Sequence, residues 1–301
     1  MTVVCLPTAR LRDAVGEVPG VSFVLWDGSR APEQVDEVEL LVTPYPAGPA
    51  LRAHIAAFPR LRVAQLQAAG YDGIPELLPE GVALANAAGV HDDATSELAL
   101  GLTIASLRGI DDAVRDHGNW QQALWRRSLA DSRVLILGYG SIGRSVAERM
   151  LACKAHVTGV ASRPRGDDLL GEVRGPGDLD GLLPHQDVVV VVLPLSDATH
   201  HYVGDDFLGQ LTDGTLVVNV ARGPVLDTDA VLRHAGRLRF ALDVTDPEPL
   251  PDGHPLWSAP GVLITPHIAG GTTAMLPRMA ALVRDQVSRY AAGRPLRNLI
   301  P

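Results

Sequence analysis

The chain has 301 residues, a formal net charge of −9, 46% hydrophobic and 4% aromatic residues, and two cysteines. That length allows two domains with ample core, and an acidic balance without a basic cluster excludes a nucleic-acid surface. No apolar run approaches the ~18 residues that span a bilayer, the N-terminus lacks the basic-then-apolar pattern of a leader, and Cys5 and Cys153 read as small buried hydrophobes of a reducing, cytoplasmic setting.

In chain order, the first ~95 residues place five short apolar segments (TVVCL, VSFVLW, VELLVT, LRVAQL and VALANA) between polar or helical stretches such as Pro49 to Phe58. This predicts a small parallel α/β unit. A long helical pattern follows from Ala94 to about Val114. His91, Asp92 and Asp93 precede it, either facing a substrate or capping the helix. A second α/β unit then includes DVVVVVLPL (Asp187 to Leu195), TLVVNV (Thr215 to Val220), FALDV (Phe240 to Val244) and VLIT (Val262 to Thr265). The run DVVVVV is apolar on both faces, as a central parallel strand must be. A last helix, Ala274 to Ala292, is too short to be a domain and is expected to pack back on the first unit. The expected architecture is α/β with two Rossmann-like domains and parallel sheets. A cofactor domain (97–274) is inserted into a discontinuous substrate domain (1–96 and 275–301).

RVLILGYGSIGR opens the second unit. Arg133 to Leu137 form a strand, Gly138, Gly140 and Gly143 a G-x-G-x-x-G turn, and Ile142, Val146 and Met150 mark the helix that follows. Strand, glycine turn and helix N-terminus are what a dinucleotide pyrophosphate requires. The first glycine makes the turn, the second admits the phosphates, and the third lets helix and strand pack. Tyr139, Ser141 and Ile142, between the glycines, join the expected cofactor contacts. The second strand, His156 to Val160, runs into Ala161-Ser162-Arg163-Pro164-Arg165. An acid that would bind a ribose 2′-hydroxyl is missing there. Ser162, Arg163 and Arg165 could instead grip a 2′-phosphate by charge-assisted hydrogen bonds. NADP(H) is therefore preferred, with NAD(H) still possible.

Three polar residues close the late strands: Arg222 after VVNVA, Glu248 in DPEPLP, and His267 in TPHIAGG. Ligands of open parallel sheets bind beyond the carboxyl ends of the strands, so the three are expected in one crevice. Arginine can bind a carboxylate and polarise a carbonyl, and histidine can protonate an alkoxide. A carboxylate beside the imidazole favours its charged form. The trio suits hydride transfer to a 2-oxo acid, and no metal ligand set is expected.

Over nearly its whole length the chain resembles the D-isomer-specific 2-hydroxyacid dehydrogenase family. The matching segments include LQAAGYDGIP, NAAGVHDDATSELALGLTIASLRGI, LILGYGSIGRSVA, VVLPLSDATHHYV, VVNVARGPVLDTDAVL, FALDVTDPEPLPDGHPLW and TPHIAGGT. The resemblance implies that Arg222 binds the substrate carboxylate and carbonyl and that His267, paired with Glu248, donates the proton. It implies that N–H groups near Ala69 and Gly70 clamp the carboxylate, that Asp243 orients the nicotinamide carboxamide, and that Thr95 lies near the nicotinamide. Pro194 and Thr199, with Leu193 and Ala221, would line the cofactor, whereas Asp72 reads as a turn anchor. The chain looks most like NADPH-preferring glyoxylate/hydroxypyruvate reductases, acting on a small 2-oxo or 2-hydroxy acid. Formate dehydrogenases of the family carry Gln in place of Glu248, and phosphite dehydrogenases a lysine in the substrate loop; Lys154 is the only lysine here. A specialised NAD-dependent dehydrogenase and a non-catalytic dinucleotide sensor remain the alternatives. Family members dimerise through the cofactor domain, so residues 118–131 imply a homodimer arm, with Trp120 and Trp125 at its centre and Trp125 a possible substrate contact.

Overall fold

The computed structural model describes residues 1–33, 35–116, 118, 120 and 125–300, folded as two compact units, 1–91 with 272–301 and 92–271. In the first unit, β1 (Thr2–Leu6), α1 (Ala9–Val15), β2 (Val21–Leu25), β3 (Val38–Val42), α2 (Ala47–His54), β4 (Val63–Gln65) and β5 (Ala83–Ala85) alternate. Among the described residues the sheet is five-stranded and parallel, in the order β2-β1-β3-β4-β5.

The second unit begins at Asp92, where sequence had put the boundary after residue 96. The cause is visible in two side-chain contacts. Asp93 pairs with Arg149 at 2.8 Å, and the Ser141 hydroxyl reaches Asp92 at 3.4 Å. Its elements are α3 (Asp92–Arg108), α4 (Ile110–Arg115), β6 (Arg133–Leu137), α5 (Ser141–Ala152), β7 (His156–Val160), β8 (Arg165–Asp167), β9 (Gly171–Arg174), α6 (Leu179–Leu182), β10 (Val188–Val191), α7 (Asp205–Gly209), β11 (Leu216–Asn219), α8 (Thr228–His234), β12 (Arg239–Leu242) and β13 (Val262–Ile264). The single helix predicted from Ala94 to Val114 is broken. Gly109 adopts φ +64°, and the space a Cβ would fill there holds the Arg126 guanidinium.

This sheet runs β13-β12-β11-β10-β6-β7-β9-β8. Among the described residues it is parallel except at its edge, where β8 pairs antiparallel to β9. That hairpin was missed because its strands are short and polar. All four residues of β10 are fully buried between β6 and β11, which explains the unbroken valine run. Helix α5 buries Gly143, Val146, Ala147 and Met150, an i, i+3, i+4, i+7 stripe.

The chain then returns to the first unit through α9 (Met275–Ala291). Met279, Ala280, Val283 and Val287 join Val4, Leu6, Leu11 and Val15 in one core. Fully buried Gln286 donates to Gln65 at 2.8 Å and accepts from the Arg297 N–H at 2.8 Å, so the terminal segment is tied to the same sheet. There Leu299 bridges to Ala85.

Candidate active site

The glycine turn is shaped by contacts that exclude side chains at two positions and leave a third open. Gly138 sits at φ +106°, and a Cβ there would lie 2.6 Å from the Val192 carbonyl. A Cβ on Gly143 would stand 2.3 Å from the Gly138 oxygen, so only glycine lets α5 close on the turn. Around Gly140 nothing lies within 4 Å of the position a Cβ would take. The N–H groups of Gly138 and Tyr139 both donate to Val160 at 2.9 Å, fastening the turn to β7. Arg144 makes the first return bond of α5, to Gly140, at 2.9 Å. The N–H groups of Ser141, Ile142 and Gly143 precede it, and a helix start offers such donors and its dipole to an anion. Open space over Gly140 beside these donors fits a dinucleotide pyrophosphate.

Tyr139 departs from its expected place among the cofactor contacts. Its side chain is buried, with the ring over Gly159 of β7, where a Cβ would come within 2.6 Å of it. Its hydroxyl donates to Asp167 at 3.0 Å, and its carbonyl accepts from Arg165 at 2.7 Å. Ser162 and Arg163 are exposed just beyond β7, while Arg165 is committed on one edge to Tyr139. Sequence found no acid at the end of β7, yet the β8–β9 hairpin folds one back. Asp167 reaches the turn and accepts from Arg144 at 3.1 Å, and Asp168 accepts from Arg144 at 2.7 Å. Backbone N–H groups led by that of Leu170, with the Tyr139 hydroxyl and Arg144, hold the Asp167 carboxyl below the usual range. Asp167 also accepts from the hairpin's own Leu169 and Leu170 N–H groups, at 3.0 and 2.9 Å.

The three candidate acid–base and anion-binding side chains rise from neighbouring strand ends. Arg222 follows β11 and is half-buried, with Nη1 donating to the Ala221 carbonyl at 2.7 Å. Asn219, unremarked in the sequence, clamps this turn. Its amide donates to the Arg222 carbonyl and its oxygen accepts from the Ala221 N–H, both at 3.0 Å. A Cβ on the next residue, Gly223, would lie 1.9 Å from the Thr245 oxygen, so that glycine seats the Arg222 turn against the loop after β12. The same loop carries Glu248, whose Oε1 stands 2.6 Å from Nδ1 of His267. The hydrogen-bonded pair is partly exposed, at 38% for the histidine and 40% for the glutamate.

His267 has a left-handed backbone, φ +51°, which a non-glycine residue adopts only when its surroundings impose it. Its N–H donates to the Asp243 carbonyl at 2.8 Å. The buried Asp243 carboxylate accepts from the Thr265 hydroxyl (2.6 Å), the Ile268 N–H (2.9 Å) and the Ala269 N–H (3.0 Å). Asp243 thus braces the His267 turn, a job not legible from the LDV segment.

The remaining expected residues are placed as follows. Thr199 accepts from the Ser196 N–H at 2.8 Å and donates to the Pro194 carbonyl at 2.6 Å, closing the loop after β10 that includes half-buried Leu193. Ala221 is buried and Thr95 is buried in the first turn of α3. In the first unit, Ala69 and Gly70 are half-buried, and the Ala69 carbonyl accepts from Asn86 at 2.7 Å. His91 is buried and bonds the Gln67 carbonyl at 2.7 Å, which makes it a brace of that loop. Trp120 and Trp125 are 95% and 103% exposed; residues 119 and 121–124 of the expected arm lie outside the described residues. No described helix is long and apolar enough to cross a membrane.

Fold and site together define an oxidoreductase that uses a nicotinamide dinucleotide. Residues 100–269 match the model of the D-isomer specific 2-hydroxyacid dehydrogenase NAD binding domain. The chain is 32% identical over 242 residues to a glyoxylate reductase of Thermofilum pendens, covering 75% of this chain and 70% of that one. It is 31% identical over 256 residues to glyoxylate/hydroxypyruvate reductase B of Pectobacterium atrosepticum, covering 80% and 79%. A D-isomer specific 2-hydroxyacid dehydrogenase from Xanthobacter autotrophicus Py2, solved with NADPH and MES, superposes with a TM-score of 0.80 at 28% identity, covering 100% of this chain and 98% of that one. The chain belongs to the D-isomer-specific 2-hydroxyacid dehydrogenase family and is an NAD(P)-dependent enzyme of that family.

Proposed function

We propose that the enzyme reduces a small 2-oxo acid, of the glyoxylate or hydroxypyruvate kind, to its D-2-hydroxy acid with NADPH. The observation that carries the chemistry is the 2.6 Å pair of His267 Nδ1 and Glu248 Oε1 at the ends of adjacent parallel strands. NADPH, held at Gly140 and the start of α5, supplies the hydride when bound. The protein's own residues do the rest. Arg222 binds the carboxylate and draws electron density from the carbonyl. Glu248 accepts from Nδ1 of the imidazolium, leaving Nε2–H to be given to the oxygen as it becomes an alkoxide. Asp243 holds the His267 turn and joins the nicotinamide carboxamide contacts, with Thr95 nearby. The N–H groups of Ala69 and Gly70 clamp the substrate carboxylate.

The 2′-phosphate reading rests on Ser162, Arg163 and the outward edge of Arg165 beyond β7. The cytoplasm is the proposed setting. The exposed Trp120 and Trp125 support a homodimer through this arm, with Trp125 reaching the partner's substrate. Initial rates of NADPH and NADH oxidation with glyoxylate and hydroxypyruvate test the whole reading. Turnover with a KM for NADPH at least about tenfold below that for NADH is expected, the scale of a charge-assisted contact. An NADH preference would overturn the cofactor assignment, and no turnover with either acid would overturn the substrate class.

A further inference from the structure

Strand β8 alternates, so Arg165 and Asp167 share one face and Gly166 the other. That face meets Tyr139 in the glycine turn and Arg144 in the first turn of α5. The Arg165 guanidinium donates to the Tyr139 carbonyl at 2.7 Å, and its central carbon lies 5.8 Å from the Tyr139 ring centre. The Tyr139 hydroxyl donates to Asp167, whose same oxygen also accepts from the Leu169 and Leu170 N–H groups at 3.0 and 2.9 Å. The Asp167 side chain is 10% exposed and takes Arg144 on its other oxygen. Burial, reinforced by Asp167, pushes the Tyr139 phenol up to about 12, so it stays a neutral donor at physiological pH. The ring packs on bare Gly159, where any Cβ would come within 2.6 Å of it.

We infer that Tyr139 is a positioning residue for cofactor selectivity: its hydroxyl locks the β8–β9 hairpin to the glycine turn and so presents Arg165 to the ribose 2′-phosphate. Arg165 has five N–H donors and uses one edge on Tyr139, leaving the rest of its fork fixed in direction. An arginine already oriented loses little freedom on binding a phosphate, whereas one on a loose hairpin loses much. NADH has no 2′-phosphate, so loosening the hairpin at Tyr139, while Arg144 still holds Asp167 and Asp168, weakens NADPH binding selectively. The inference rests on the NADPH reading above.

The test compares wild type, Tyr139→Phe, Asp167→Ala, Asp167→Asn and Arg163→Ala, with KM and kcat measured for both cofactors. Tyr139→Phe is expected to raise the KM for NADPH by about tenfold and that for NADH by less than about twofold, with the change in KM rather than kcat. Asp167→Ala should do the same. Asp167→Asn keeps an acceptor for the hydroxyl and the two N–H groups but loses the Arg144 bond on the other oxygen, so it should retain more of the selectivity than Asp167→Ala. Equal losses for both cofactors, or no loss of NADPH selectivity, would overturn the coupling. The two levels fail separately. A wild-type preference for NADH removes the NADPH reading itself. Selectivity lost in Arg163→Ala but intact in Tyr139→Phe keeps that reading and discards the role of Tyr139.

Discussion

Replacing His267 with alanine is expected to lower kcat/KM for the 2-oxo acid by about a thousandfold, the mid-range of what a positioned general acid contributes. The dinucleotide should bind nearly as before, because among the described residues the turn from Gly138 to Gly143 and the start of α5 share no hydrogen bond with the His267 turn. Its backbone ties run to Asp243 and Thr265 instead. A dissociation constant for NADPH from fluorescence titration, set beside steady-state rates, separates the two effects. Glu248→Gln should fall between wild type and His267→Ala, since an amide still accepts from Nδ1 but no longer balances the imidazolium charge. Near-normal turnover in His267→Ala would remove the proton-donor assignment.

Gly223→Ala is expected to be the most damaging single-methyl addition in the site. Its Cβ would stand 1.9 Å from the Thr245 oxygen and 2.3 Å from the Thr245 carbonyl carbon, both backbone atoms, so the loop from Thr245 to Glu248 or the Arg222 turn must move. Overpacking of this kind costs about 3 kcal/mol, which in a domain of this size lowers Tm by about 10 °C. The activity loss should exceed what the stability loss explains, because Arg222 is displaced from its Asn219 clamp. Gly181→Ala, with nothing within 4 Å of the added carbon, is the matched control and should leave both quantities within error. Thermal melts and kcat/KM on the two variants decide it.

The parts of the fold legible in the sequence were those whose pattern is imposed by burial. The valine run of β10 and the strand, glycine turn and helix of β6 and α5 are each dictated by which faces meet water and which meet backbone. Arg222, Glu248 and His267 could be picked out because polar side chains ended otherwise apolar strands. What escaped was set by tertiary contacts with little local signature. The break at Gly109 depends on the Arg126 guanidinium filling the space beside a left-handed glycine. The β8–β9 hairpin, with its short polar strands, offers no apolar run to mark it, so the acid it returns to the glycine turn went unseen. Tyr139 was assigned by its place between two glycines, but its ring is directed inward by the bare backbone of Gly159 across the turn. Asn219 and Asp243 hold the turns that bear Arg222 and His267. A lone Asn within VVNVA was the available signal for the first, and the hydrogen bonds of the second follow from folding alone.

The central claim is that His267, paired with Glu248, completes a D-specific reduction of a 2-oxo acid. Chiral separation of the glycerate formed from hydroxypyruvate and NADPH tests it most directly. D-glycerate from the wild-type enzyme, with none formed above background by His267→Ala, is the predicted result; L-glycerate, a racemate, or undiminished product from the variant would contradict it.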